Sequence, residues 1–200
     1  MAYDVFVAMG VFAFVMAFTP GPNNILLTAS GVNFGFARTI PHVLGVEVGF
    51  LVLVLACGAG VGLLFTAFPV LQTVMKIGGA IYMLWLAWKV ANAHTDADGP
   101  QRRARPFSFL EAAAFQWVNP KAVLAAASGI AIYVRPSHAW FDFSVMLALF
   151  ALATILSTAA WAGFGAALRG FLKDPARARI FNIVMALLLV ASIVPMVWAS

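Results

Sequence analysis

Three stretches of this chain carry no charged side chain: Val48 to Met75, Phe143 to Leu168 and Ile180 to Ser200. Each exceeds the about 20 residues an α-helix needs to cross a hydrocarbon core. A fourth stretch, Val5 to Ala37, is equally free of charge. The composition agrees, being 64% hydrophobic and only 10% charged, well outside the range of soluble domains. The sequence therefore predicts an all-α polytopic membrane protein with six transmembrane helices, over about 4–28, 41–65, 69–91, 108–132, 141–167 and 179–198.

Basic residues set the expected orientation. The first, third and fifth loops hold Arg38, then Lys89, Arg102, Arg103 and Arg105, then Arg169, Lys173, Arg177 and Arg179; the opposite side holds only Arg135. Basic loops stay in the cytoplasm, so both termini are expected in the periplasm. The net charge of +5 reads as this orientation signal, and no nucleic-acid partner is expected. A single cysteine, Cys57, excludes an internal disulfide and reads as a packing residue.

The fourth uncharged stretch is interrupted where a spanning helix should be regular. "TPGPNN" puts Pro20, Gly21, Pro22, Asn23 and Asn24 in succession. Offsetting the chain by 98 residues aligns "PNNILLTASG" (22–31) with "PKAVLAAASG" (120–129), matching Pro22 with Pro120 and Ser30-Gly31 with Ser128-Gly129. The second copy is preceded by Asn119 and continues with Lys121, again amide and proline, now with a cation. Two three-helix halves of opposite orientation follow, residues 1–91 and 108–200, joined by a cytoplasmic linker at 92–107. Such inverted repeats occur in secondary transporters, whose substrate sites lie at discontinuous helices near mid-membrane. Helices 1 and 4 are thus expected to be broken by proline near mid-membrane. A break in lipid leaves unpaired backbone groups, tolerated only against protein or a water-filled cavity. The prolines are expected to line a path. The N–H groups after Pro22, with Asn23 or Asn24, would meet a substrate carboxylate, and Lys121 would supply a cation. Carbonyls freed by Pro20 and Pro120 would face an ammonium group. A simple packed kink is the plainer alternative, and a re-entrant first segment would give five spans instead of six.

Two further charges fall within spans, Glu47 between Gly45 and Gly49 and Lys76 on the third helix. They read either as a buried ion pair or as a proton-coupling carboxylate with its neighbour. Asp142 and Glu111 read as interfacial or capping residues. The pairs Gly31/Gly35, Gly45/Gly49 and Gly58/Gly62 describe close helix packing, in a bundle or at a homodimer face. His42, His94 and His138 lack metal-ligand spacing, and no nucleophile turn or paired carboxylates appear, so neither an enzyme nor a metal or other cofactor is expected. A membrane scaffold or assembly subunit is the remaining alternative to a transporter.

Four segments carry a resemblance: "TPGPN" (19–23), "GFARTIPHVLGVEVG" (35–49), "KIGGAIYMLWLAWK" (76–89) and "NPKA" (119–122). Together they resemble the lysine exporter (LysE/RhtB) family over essentially the whole chain. That resemblance implies a bacterial inner-membrane exporter of amino acids or their derivatives, driven by the proton motive force. Only Glu47 offers a deep carboxylate, so a neutral substrate is expected over lysine or arginine. The sequence leans toward the type that exports cysteine and O-acetylserine.

Overall fold

The computed structural model describes residues 3–61, 69–93 and 105–194. Eight α-helices follow one another, with no strand among the described residues: α1 Tyr3–Phe18, α2 Pro22–Phe34, α3 Phe36–Ala56, α4 Pro69–Ala91, α5 Phe109–Val118, α6 Pro120–Tyr133, α7 Ala139–Leu168 and α8 Pro175–Ala191. Two helical segments, Phe36–Gly60 and Pro136–Leu168, are long and apolar enough to cross a membrane alone. α1 and α2 pass the same test as a pair bent by 51°. The protein is an all-α membrane protein, as its uncharged runs predict.

Local sequence explains where the helices start and stop. Pro22, Pro120 and Pro175 each occupy the first turn of a helix, where the missing N–H costs nothing. Ser108 and Glu111 form a reciprocal capping box at α5, and Arg105 binds the Glu111 carboxylate through two bonds of 2.7 and 2.8 Å. α2 ends at Gly35, whose φ of 81° suits glycine. That turn moves the next helix forward: α3 begins at Phe36 and carries Pro41 inside it, so the expected start at residue 41 is too late.

Glycine packing holds the bundle together. A Cβ on Gly31 would lie 2.2 Å from the Ala162 carbonyl oxygen, and one on Gly165 would lie 2.2 Å from that of Thr28. α2 and α7 thus touch backbone to backbone. Gly45 and Gly49 do the same for α3 against α5, at Phe109 and Ala113. Gly58 faces the Phe143 ring. These glycines serve packing within one chain; Gly62 lies outside the described residues. The buried core is otherwise assembled from Met9, Leu53, Met146 and Phe150 on one side and Leu26, Met83, Phe115 and Leu189 on the other.

Contacts sort the helix ends into two groups. At one end Asn33 donates to Asn182 at 3.3 Å, Asn182 donates to the Ala93 carbonyl at 2.9 Å, and His42 stacks on Phe107 at 5.0 Å. At the other, Tyr133 donates to the Ala8 carbonyl at 3.4 Å, and Arg135 pairs with Asp142. Asp142, in the first turn of α7, is not an exposed side chain. It is completely buried, because Arg135 folds over it with Nε at 2.7 Å and Nη2 at 2.8 Å while the Arg135 backbone N–H adds a third bond. Hydrogen bonding to that carboxylate raises the Arg135 pKa above its ordinary value.

Candidate functional site

The break between α1 and α2 leaves carbonyls at Ala17 and Thr19 to be satisfied from elsewhere. Asn24 satisfies both, its Nδ2 donating to Ala17 at 2.9 Å and Thr19 at 3.0 Å. Ser157 on α7 adds a second bond to the Ala17 carbonyl, at 2.8 Å. Lys121 on α6 donates its ammonium to the Thr19 carbonyl. Protein donors thus already hold these two carbonyls. A freed carbonyl inside an apolar bundle is costly unless paired, so neighbouring donors converge on it.

On the far side of the break the polarity reverses. Gly21 is extended, with φ −166° and ψ 178°, and offers no side-chain cap to α2. The N–H groups of Asn23 and Asn24 therefore sit at a bare helix N-terminus, where orphan donors and the helix dipole favour an anion. Gly21 also makes room for the lysine, since a Cβ there would stand 2.8 Å from Lys121 Cδ.

The second break, between α5 and α6, is closed more fully. Asn119, almost wholly buried, caps α6 by accepting from the Lys121 N–H at 3.2 Å. One turn before it, Gln116 is fully buried and exchanges hydrogen bonds with Asn23. Asn23 donates to Gln116 at 2.7 Å, and Gln116 donates back at 3.3 Å and also to the Ala112 carbonyl at 2.8 Å. Gln116 was not anticipated from the sequence. Its signal was available, as an uncharged amide on an apolar helix three residues before Asn119.

The two breaks share one cavity of about 60 Å³. Gly21, Asn23, Asn24, Gln116, Asn119 and Lys121 form its polar side. Its remaining wall is largely carbon, with Met16, Phe50, Ala125 and Phe150 in it, together with hydroxyl groups of α7. Pro20, Pro22 and Pro120 are not among its lining residues. They shape the breaks from behind, and the glycine and amides form the surface. A water needs about 10–15 Å³ of such space, so the cavity holds about four to six water-sized groups, the scale of a small amino acid.

The remaining sequence candidates lie apart from this cavity. Val46 lines it, but Glu47 does not; the Glu47 side chain is half-buried, with Oε2 lacking a partner among the described residues. Lys76 is on α4, but its side chain lies outside the described residues, and so does the expected Glu47–Lys76 pair. No group of three His, Cys, Asp or Glu side chains that could hold a metal occurs among the described residues.

Broken helices whose ends converge on a small amphipathic cavity inside an apolar bundle define a membrane translocator. Residues 14–194 match the LysE type translocator family, and the chain belongs to that family. It is 34% identical over 92% of both chains to the cysteine/O-acetylserine efflux proteins of Escherichia coli (strain K12) and Shigella sonnei (strain Ss046). It is 33% identical over the same share to that of Escherichia coli O1:K1 / APEC. No solved structure matches.

Proposed function

We propose that this chain is a secondary exporter of a small neutral amino acid or its O-acyl derivative across the bacterial inner membrane. The observation that carries this reading is the Lys121–Thr19 contact between the two helix breaks. A lysine bonded to a neutral carbonyl is under-used, because charge-assisted bonds to a carboxylate are roughly twice as strong. An α-carboxylate entering the cavity would take Lys121 from Thr19 and accept from the Asn23 and Asn24 N–H groups. Binding would then loosen one tie between the breaks, and a transport cycle needs such a differential contact.

Six spans in two inverted halves, 1–91 and 108–200, fit the element order. Each half runs broken helix, long helix, further helix. The contacts of α1 with α7 and of α3 with α5 are the pair that a two-fold relation would exchange. Arg38, Lys89, Arg105, Arg169, Lys173, Arg177 and Arg179 belong to the end where Asn33, Ala93 and Asn182 meet, and this distribution of positive charge supports a cytoplasmic location for that end. The termini are then periplasmic.

Among the described residues no carboxylate lines the cavity, so a second positive charge on the substrate would find no partner among them. This favours neutral substrates, and the relatives' names point to cysteine and O-acetylserine. Glu47, next in sequence to the lining residue Val46, is the proposed proton carrier. The test is direct: cells overproducing the protein are loaded with these amino acids and the medium is assayed, with and without an uncoupler. Uncoupler-sensitive accumulation outside is expected; equal accumulation in cells lacking the protein would reject the reading.

A further inference from the structure

We propose that the carbon-lined part of the cavity is the subsite for the substrate's side chain, and that Thr154 and Phe150 set which side chains it accepts. This rests on the exporter reading above and specifies its substrate class: a short side chain bearing one hydroxyl, thiol or ester group.

The cavity is divided by polarity along the bundle. α1 runs toward its break from the end where Ala8 meets Tyr133, and α6 runs from its break back to Tyr133. Ala13 and Ala125, both lining the cavity, therefore lie on the Tyr133 side of the breaks. Phe150 closes this part. Its ring packs edge-on to Phe50 at 5.2 Å and against Phe12 at 6.2 Å, and Gly129 leaves it room, since a Cβ there would stand 3.1 Å from the ring. An amino acid anchored by its carboxylate at Lys121 would extend its side chain into this space.

Thr154 is the one group in this wall that is not accounted for. It is buried and lines the cavity, yet its hydroxyl makes no hydrogen bond among the described residues. Buried helical threonines elsewhere in the chain bond back one turn: Thr28 to Asn24, Thr39 to Gly35 and Thr158 to Thr154. Thr154 does not. Its neighbour Ser157 is committed to Ala17. The Thr154 oxygen is not among the side-chain atoms shut off from solvent without a partner, so it stands open to the cavity, free to bond a polar group held there. A thiol or ester on the substrate fits; an alanine methyl does not.

The test measures export of L-cysteine, O-acetyl-L-serine, L-alanine and L-leucine from cells holding equal amounts of each variant. Thr154→Val keeps the shape and removes the hydroxyl, and is expected to lower cysteine and O-acetylserine export relative to alanine by about fivefold to tenfold. Thr154→Ser should retain the wild-type preference. Phe150→Leu is expected to raise leucine export relative to alanine. If Thr154→Val and Phe150→Leu scale export of all four by one factor, the two residues serve packing alone and the subsite is refuted. Wild-type protein that exports none of the four would instead overturn the exporter reading beneath it.

Discussion

The side-chain amides of Asn23 and Gln116 hold each other by two hydrogen bonds, 2.7 and 3.3 Å long, across the junction of the two helix breaks. Gln116 is completely buried, while Asn23 is half-buried and lines the cavity. Replacing Gln116 by Leu leaves the Asn23 amide short of a partner, at a cost of about 1–3 kcal/mol. The expected outcome is a lower unfolding temperature in detergent together with reduced export. Asn23→Leu combined with Gln116→Leu should recover part of the stability and none of the transport. Full recovery of transport by the double variant would show that the amides only fill space.

Lys121 is expected to matter through its charge. Lys121→Met should leave protein level near normal and lower export by tenfold or more, each ~1.4 kcal/mol of lost substrate contact being a factor of ten. Gly21→Ala should act in the same direction more weakly, because the new Cβ meets the lysine stem at 2.8 Å. Near-normal export by both would leave Lys121 as a tether for Thr19 and nothing more.

Glycine substitutions separate packing from tolerance. Gly31→Ala or Gly165→Ala drives a methyl group into backbone at 2.2 Å, and overpacking of this kind costs about 1–3 kcal/mol. Gly78→Ala meets nothing within 4 Å. Membrane fractions should therefore contain much less of the first two variants and an unchanged amount of the third, by immunoblot.

Topology can be read with fusions. Alkaline phosphatase after Ser200 is expected to be active and the same enzyme inserted near Gly99 inactive, given the sorting of basic residues. The opposite pattern would invert the assignment.

Glu47→Gln distinguishes a proton carrier from a structural charge. Normal protein level with loss of uncoupler-sensitive export is the outcome expected of a carrier. If instead protein level falls and is restored only by exchanging charges in Glu47→Lys with Lys76→Glu, the residue belongs to an ion pair.

Much of this fold was written in hydropathy and in prolines. Uncharged runs show where helices lie, and the Pro20–Pro22 and Asn119–Pro120 signals show where two of them stop, because those constraints are local. The start of α3 was not legible, since a glycine at φ 81° overrode the proline six residues on. The fate of Asp142 was equally hidden. Whether a carboxylate faces water or lies under an arginine depends on how the chain turns between Val134 and Ala139, which no periodicity records. Asn23, Asn24, Asn119 and Lys121, which the sequence singles out, line the cavity, but their division of labour was not legible: Asn24 closes the break, and Gln116 joins it from a helix that looked featureless.

The backbone contact of Gly31 and Gly165 has a mechanical consequence. α2 belongs to the first half of the chain and α7 to the second, yet no side chain separates them at Gly31 and Gly165. Gly45 and Gly49 bind α3 to α5 across the halves in the same way. Helices joined by backbone contact cannot slide without losing it, so each pair travels as one strut built from both ends of the gene. A chain cut within residues 92–107 would therefore leave its two pieces held together through these backbone contacts.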